Sequence, residues 1–267
     1  MEKINQRYRY SNILLRQLVK TDFKLRYQGS VLGYVWSLLR PLALFAILYI
    51  VFAKFLRIGD AVPHFPVYLL LGIVLWNYFA EVTSGSVGSI VGRGDILRKI
   101  NFPKYVIVLA GSFSALINLF LNSLIITVFM IVTGVDVQWT ALFVPLLILE
   151  LFVFSLAIAF LLSAAFVRFR DISYIWEVIM QGAFYATPIL YPLTLVPQAA
   201  AKIIMLNPVA QIIQDIRYVL ITPKTITIGE LYGTFWIRLV PIAIVLITVW
   251  IAVTYFRSRS RFFAEEI

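Results

Sequence analysis

A chain of 267 residues in which 61% are hydrophobic and only 13% charged lacks the polar surface that a soluble fold of this length needs. The formal charge of +10 would suit nucleic acid, but Lys and Arg are confined to the stretches between apolar runs, a pattern that orients membrane proteins, so no nucleic-acid partner is expected. Cysteine is absent, which excludes disulfides and thiolate metal sites.

The first 34 residues are polar. Within them Leu14, Leu15, Leu18, Val19, Phe23 and Leu25 fall on one half of a helical wheel, and Arg16, Lys20 and Lys24 form an i, i+4, i+8 row on the other. Such a helix lies in the membrane interface, its cations toward anionic headgroups or a docked partner. Asp22 and Arg26 intrude on the apolar arc. The segment is too charged for a secretory leader, so no cleavable signal peptide is expected.

About 20 apolar residues span a bilayer as a helix. Runs of that kind cover Val35–Leu56, Val67–Ile90, Val106–Thr133, Val137–Val167 (interrupted only by Glu150) and Leu239–Phe256. Another begins near Ile172 and is cut by Pro188, Pro192 and Pro197. The expected fold is therefore an all-α polytopic membrane protein with six transmembrane helices and an N-terminal amphipathic interface helix. It forms one domain over 1–267, with a membrane core at 35–256 and a cytoplasmic tail at 257–267.

Cations set the orientation. Sixteen Lys and Arg lie in the N-terminal segment, the second-to-third loop, the fourth-to-fifth loop and the C-terminus, against six (Lys54, Arg57, Lys202, Arg217, Lys224, Arg238) on the opposite side. Both termini are expected in the cytoplasm.

After Ala186 short apolar pieces alternate with prolines, and Gln198–Leu206 allows only about two helical turns. This predicts re-entrant helices between the fifth and sixth spans, since irregular backbone at that depth survives only where protein or a wet cavity covers it. An ordinary surface loop is the plainer alternative.

Little catalytic chemistry is visible. The sequence has no phosphate-cradling G-x-x-x-x-G-K-[ST], no H-E-x-x-H and no G-x-S-x-G. The single histidine, His64, reads as a loop residue. Glu81, Glu150 and Glu177 lie within or beside apolar runs, where carboxylates are functional suspects, but none has a second acid at helical spacing. Ser84, Gly88 and Gly92, four apart, read as a close-packing stripe. Phe45, Tyr49 and Phe52 form one aromatic row down the first span, either packing or a surface over which sugar faces slide.

Several strings then point to a family. DFKLRYQGSVLGYVWSLLRPL (22–42), FPVYLLLGIVLWNYF (65–79), ILRKINFPKYVIVL (96–109), VRFRDISYIWEVIMQGAFYATPILYP (167–192) and NPVAQIIQDIR (207–217) together resemble the ABC-2 type permeases. These are the membrane subunits of exporters for O-antigen, capsule and teichoic acid polymers.

The resemblance implies a permease in the bacterial cytoplasmic (inner) membrane that extrudes a lipid-linked polysaccharide. It would work as a pair with a second copy of itself, docked on two copies of an ABC ATP-binding subunit. It implies no enzyme activity and no cofactor in this chain, ATP and Mg being held by the partner ATPase. Carried onto these residues, it makes Arg16, Lys20, Lys24, Arg98, Lys99, Arg168, Arg170 and Asp171 ATPase-coupling residues. Pro188, Pro192, Leu195, Pro197 and Ile204 become an extracytoplasmic gate, and the aromatic row of Phe45, Tyr49 and Phe52 is, by its own spacing, the candidate substrate pathway for such a polymer. A permease for a small drug or lipid is the alternative, and an intramembrane sugar transferase a remoter one.

Overall fold

The computed structural model describes residues 2–26, 33–94 and 103–263. Among the described residues ten α-helices follow one another and no strand occurs: α1 (Glu2–Arg26), α2 (Trp36–Tyr49), α3 (Phe65–Val87), α4 (Tyr105–Thr133), α5 (Val144–Arg168), α6 (Ile172–Ala186), α7 (Gln198–Met205), α8 (Pro208–Leu220), α9 (Ile228–Tyr232) and α10 (Leu239–Arg259). Among the described residues five helical stretches are long and apolar enough to cross a membrane: Trp36–Phe55, Phe65–Val87, Tyr105–Thr133, Trp139–Arg168 and Phe235–Arg259. They match five of the apolar runs to within a few residues. At the sixth the chain forms the 15-residue α6, about 22 Å long, short of a hydrocarbon core of about 30 Å.

Local signals set the helix ends. Gly134, at φ 68°, closes α4 by giving its N–H to Ile131 O, while Val135 N–H returns to Met130 O at 2.9 Å. Asn207 caps α8 by accepting Val209 N–H at 3.0 Å, and Pro208 follows where a missing N–H costs nothing.

α3 is the hub. It packs against α2, α4, α5, α6 and α8, and its first half is apolar all round, burying Leu69, Leu70, Leu71 and Ile73 almost completely. α5 in turn carries α10 and α8, while α1 runs along α4. Lipid is as apolar as leucine, so this assembly rests on close packing and buried hydrogen bonds rather than on escape from water.

Arg217 supplies the strongest of those bonds. The sequence reading counts it among the outer-loop cations, yet its side chain is wholly buried. Nε and Nη2 donate to Tyr68 O, Nη1 to Pro188 O and Gln214 Oε1, and Nη2 also to Ile189 O at 2.9 Å. The guanidinium lies 3.4 Å from the centre of the Tyr68 ring. Gly72 makes room for it: a Cβ there would collide with Nη2. The irregular turn at 187–190 thus has its carbonyls satisfied by a cation that reaches up from α8. Buried Pro188 and Pro192 have no N–H to satisfy.

The two ends of the bundle differ. At one, Asp22 of α1 pairs with Arg93 and Lys104 donates to Ser260 O, gathering α1, the end of α3, the start of α4 and the end of α10. At the other, Leu193, Ala201, Met205 and Ile228 make a small separate core that ties α7 to α9.

Candidate functional site

One face of α3 is not apolar. Asn77 and Glu81 stand one turn apart, followed by the exposed Ser84, Gly85 and Gly88. A Cβ on Gly85 would meet nothing within 4 Å, and one on Gly88 only Phe166 at 3.8 Å. Ser84, Gly88 and Gly92, read from sequence as a close-packing stripe, are therefore all exposed along this copy of the chain, and Ser84 lies between two cavities.

The first cavity, about 680 Å³, lies between α2, α3 and α4 and is lined by Trp36, Ser37, Arg40, Asn77, Tyr78, Glu81, Asn118 and Asn122. Asn118 Nδ2 donates to Glu81 Oε1 at 2.9 Å, which fixes the carboxylate toward α4. Pro41 cannot return an N–H to Ser37 O, and Asn122 Nδ2 reaches that carbonyl at 3.4 Å. Two buried atoms here, Tyr78 OH and Asn118 Oδ1, have no hydrogen-bond partner among the described residues. Orphans of that kind are costly away from water and mark a place that water or a polar ligand can fill.

The second cavity, about 590 Å³, lies between α3 and α6 and is lined by Trp76, Trp176, Glu177, Gln181, Phe184 and Tyr185, among others. Trp76 meets Phe184 edge-on at 5.8 Å, and Phe184 meets Tyr185 at 5.3 Å. Trp176 Nε1 is buried and unpaired among the described residues. Ala80 and Ser84 border both cavities, so the two join across α3 into one groove. The first cavity is rich in amides and the second in aromatic rings, and each holds a carboxylate, Glu81 and Glu177. The groove can stack on flat apolar surfaces and hydrogen-bond to hydroxyl-rich ones. It brings together no group of acids or histidines able to hold a metal among the described residues.

The sequence that builds this groove has known counterparts. The family model described as ABC-2 type transporter matches residues 13–221, which include every groove residue named above. The chain belongs to the ABC-2 type transporter family. It is 29% identical over 266 residues to the O-antigen export system permease protein RfbA of Myxococcus xanthus, covering 99% of this chain and 98% of that one. To the protein of the same name from Klebsiella pneumoniae it is 30% identical over 205 residues, 76% and 78% of the two chains.

The residues singled out in the sequence of this ABC-2 chain are dispersed. Phe45 is buried, stacks on Tyr49 at 5.7 Å and meets Phe129 of α4 edge-on at 5.3 Å. Phe52 packs against the same core, and none of the three lines the groove. Arg16, Lys20 and Lys24 are exposed on α1. Arg98 and Lys99 lie outside the described residues. Arg168, Arg170 and Asp171 are exposed on the short link from α5 to α6, where Arg168 rests on the Phe169 ring and Arg170 on Phe166. Pro188 and Pro192 are buried beside α3, while Leu195 and Pro197 are exposed and Ile204 is half-buried.

The groove residues themselves had a signal. Asn77/Glu81, Asn118/Asn122 and Glu177/Gln181 are polar pairs four apart inside three apolar runs. Each pair puts two polar groups on one helix face, and the fold turns all three faces toward one groove.

Proposed function

We propose that this chain is the transmembrane subunit of an ATP-driven exporter that moves a lipid-anchored polysaccharide of the O-antigen type across the bacterial cytoplasmic membrane. The observation that carries the reading is the groove over α3, where stacking rings and hydrogen-bonding groups occur together on membrane-crossing helices. Sugars offer apolar C–H faces and dense hydroxyls, and a polymer must slide, so many shallow contacts suit it better than one deep well. The names of the relatives, matched over most of both chains, support the same cargo.

Tyr174 and Val178 of α6 are exposed, and α6 packs only on α3 and α5 among the described helices with more than slight contact. A second copy would cover that face and close the groove into a path. On this reading α6 and the turn after it make the sixth crossing, and both termini lie in the cytoplasm. Residues 187–205 form the outer gate: Arg217 anchors its first turn at Tyr68, about 5 Å inside the start of α3. The exposed link Arg168–Asp171 docks on one of two separate ATP-binding subunits, which hold ATP and Mg.

The test is export of polymer to the cell surface, measured by immunoblot in a host deleted for this chain but carrying its ATP-binding subunit. Glu177→Gln with Tyr185→Ala, both exposed groove positions, should cut surface polymer at least tenfold on the order of the loss of two binding contacts, with stability shifted by under about 0.5 kcal/mol. Asp171→Lys should instead release the ATP-binding subunit during purification while the chain still inserts. Wild-type export by the groove double variant would overturn the assignment of the groove.

A further inference from the structure

We infer that the groove between α1 and α4 binds an anionic phospholipid, with one acyl chain in the groove and the phosphate on the basic row of α1. The site lies apart from the transport groove. Its cavity is about 690 Å³, and its walls are Leu15 and Val19 of α1 with Phe113, Leu116, Ile117 and Phe120 of α4. Phe120 is 60% exposed and Ile117 39%, on a helix apolar enough to cross a membrane, so the groove opens sideways into hydrocarbon. A chain of methylenes fills such a slot without asking for hydrogen bonds.

Arg16, Lys20 and Lys24 line the same cavity. Successive cations stand about 6 Å apart along the helix. None of the three forms an ion pair or hydrogen bond with a described residue. The acid in their stretch of α1, Asp22, is committed to Arg93. A row of cations with no acidic partner among the described residues, along the lip of an apolar slot, is complementary to a molecule that is anionic at one end and aliphatic over the rest. Zwitterionic lipid fits the slot but not the row. A protein partner fits the row but has no reason to fill a slot that faces lipid.

The experiment is native mass spectrometry of the full chain, titrated with phosphatidylglycerol or phosphatidylcholine. Each cation removed should weaken phosphatidylglycerol binding about fivefold, so Arg16→Gln/Lys20→Gln/Lys24→Gln should lose on the order of a hundredfold and leave phosphatidylcholine binding unchanged. Ile117→Trp, which fills the slot and leaves the charges alone, should weaken both lipids. Undiminished phosphatidylglycerol binding by the triple variant overturns the inference. If that variant instead sheds a co-purified ATP-binding subunit while keeping its lipid, the row is a protein dock.

Discussion

Two regions flanking α3 handle buried polarity in opposite ways. Near the start of α3 Arg217 is fully enclosed, and its donors are spent on Tyr68, Pro188, Ile189 and Gln214. Farther along, Tyr78 OH of α3, Asn118 Oδ1 of α4 and Trp176 Nε1 of α6 are buried with no partner among the described residues. In a low dielectric a satisfied network is architecture, because each bond is strengthened and none is left over. An unsatisfied group is a standing cost that the fold keeps only where something else will meet it. The clasp therefore reads as a fastener, and the groove as the open flank along which the proposed path runs.

The largest effect should come from breaking the fastener. Arg217→Met keeps much of the volume but strips charged donors from three carbonyls, at a cost on the order of 4 kcal/mol. In a chain of this length that should lower the unfolding midpoint of detergent-purified protein by about 10 °C, read by intrinsic tryptophan fluorescence. A midpoint within a degree or two of the parent would show that water replaces the guanidinium and that the turn at 187–190 is not held by it.

A matched pair of glycines on α3 gives a smaller and more selective comparison. Gly72→Ala drives a Cβ into the Arg217 guanidinium and should cost about 1–3 kcal/mol. Gly85→Ala meets nothing within 4 Å and should gain up to about 1 kcal/mol from helix propensity. The same chemical change thus carries opposite signs on one helix. Equal effects at both sites would erase the distinction between a packed flank and an open one.

Much of the architecture was legible because a bilayer imposes a simple length rule on apolar runs, and five runs obey it. The prolines after Ala186 likewise announced the break that follows α6. Arg217 was misplaced for a physical reason. The cation count places it in a loop on the side opposite the termini, whereas the fold buries the polar face of Gln211, Gln214, Asp215 and Arg217 together. Whether such a face meets water or a carbonyl-rich turn depends on residues 187–190 and α3, far away in sequence. The aromatic row at Phe45 and Tyr49 shows the converse. Its periodicity was correct, but periodicity says which residues share a face and not what that face meets; here it is Phe129.

The smallest expected effect asks whether an unpartnered polar atom alone is enough to mark the path. Glu150 of α5 has a buried Oε1 without a partner among the described residues, and so does Asp215 Oδ1 on the neighbouring α8. Glu150 nevertheless lines neither cavity of the groove, whereas Glu81 lines one and accepts Asn118 Nδ2. Glu150→Gln keeps the shape, removes an acid from an apolar neighbourhood that holds a second one, and breaks no bond that the described structure contains. Stability should therefore change by less than about 1 kcal/mol, in the stabilising direction, and export should stay at the parental level. Glu81→Gln also keeps an acceptor for Asn118, so it should fold normally, yet it changes the charge offered to the groove and should reduce export severalfold. The pair separates position from polarity, with surface polymer and thermal unfolding read on the same preparations. Export lost on Glu150→Gln with the fold intact would place the path, or a second polar route, between α5 and α8 instead of over α3.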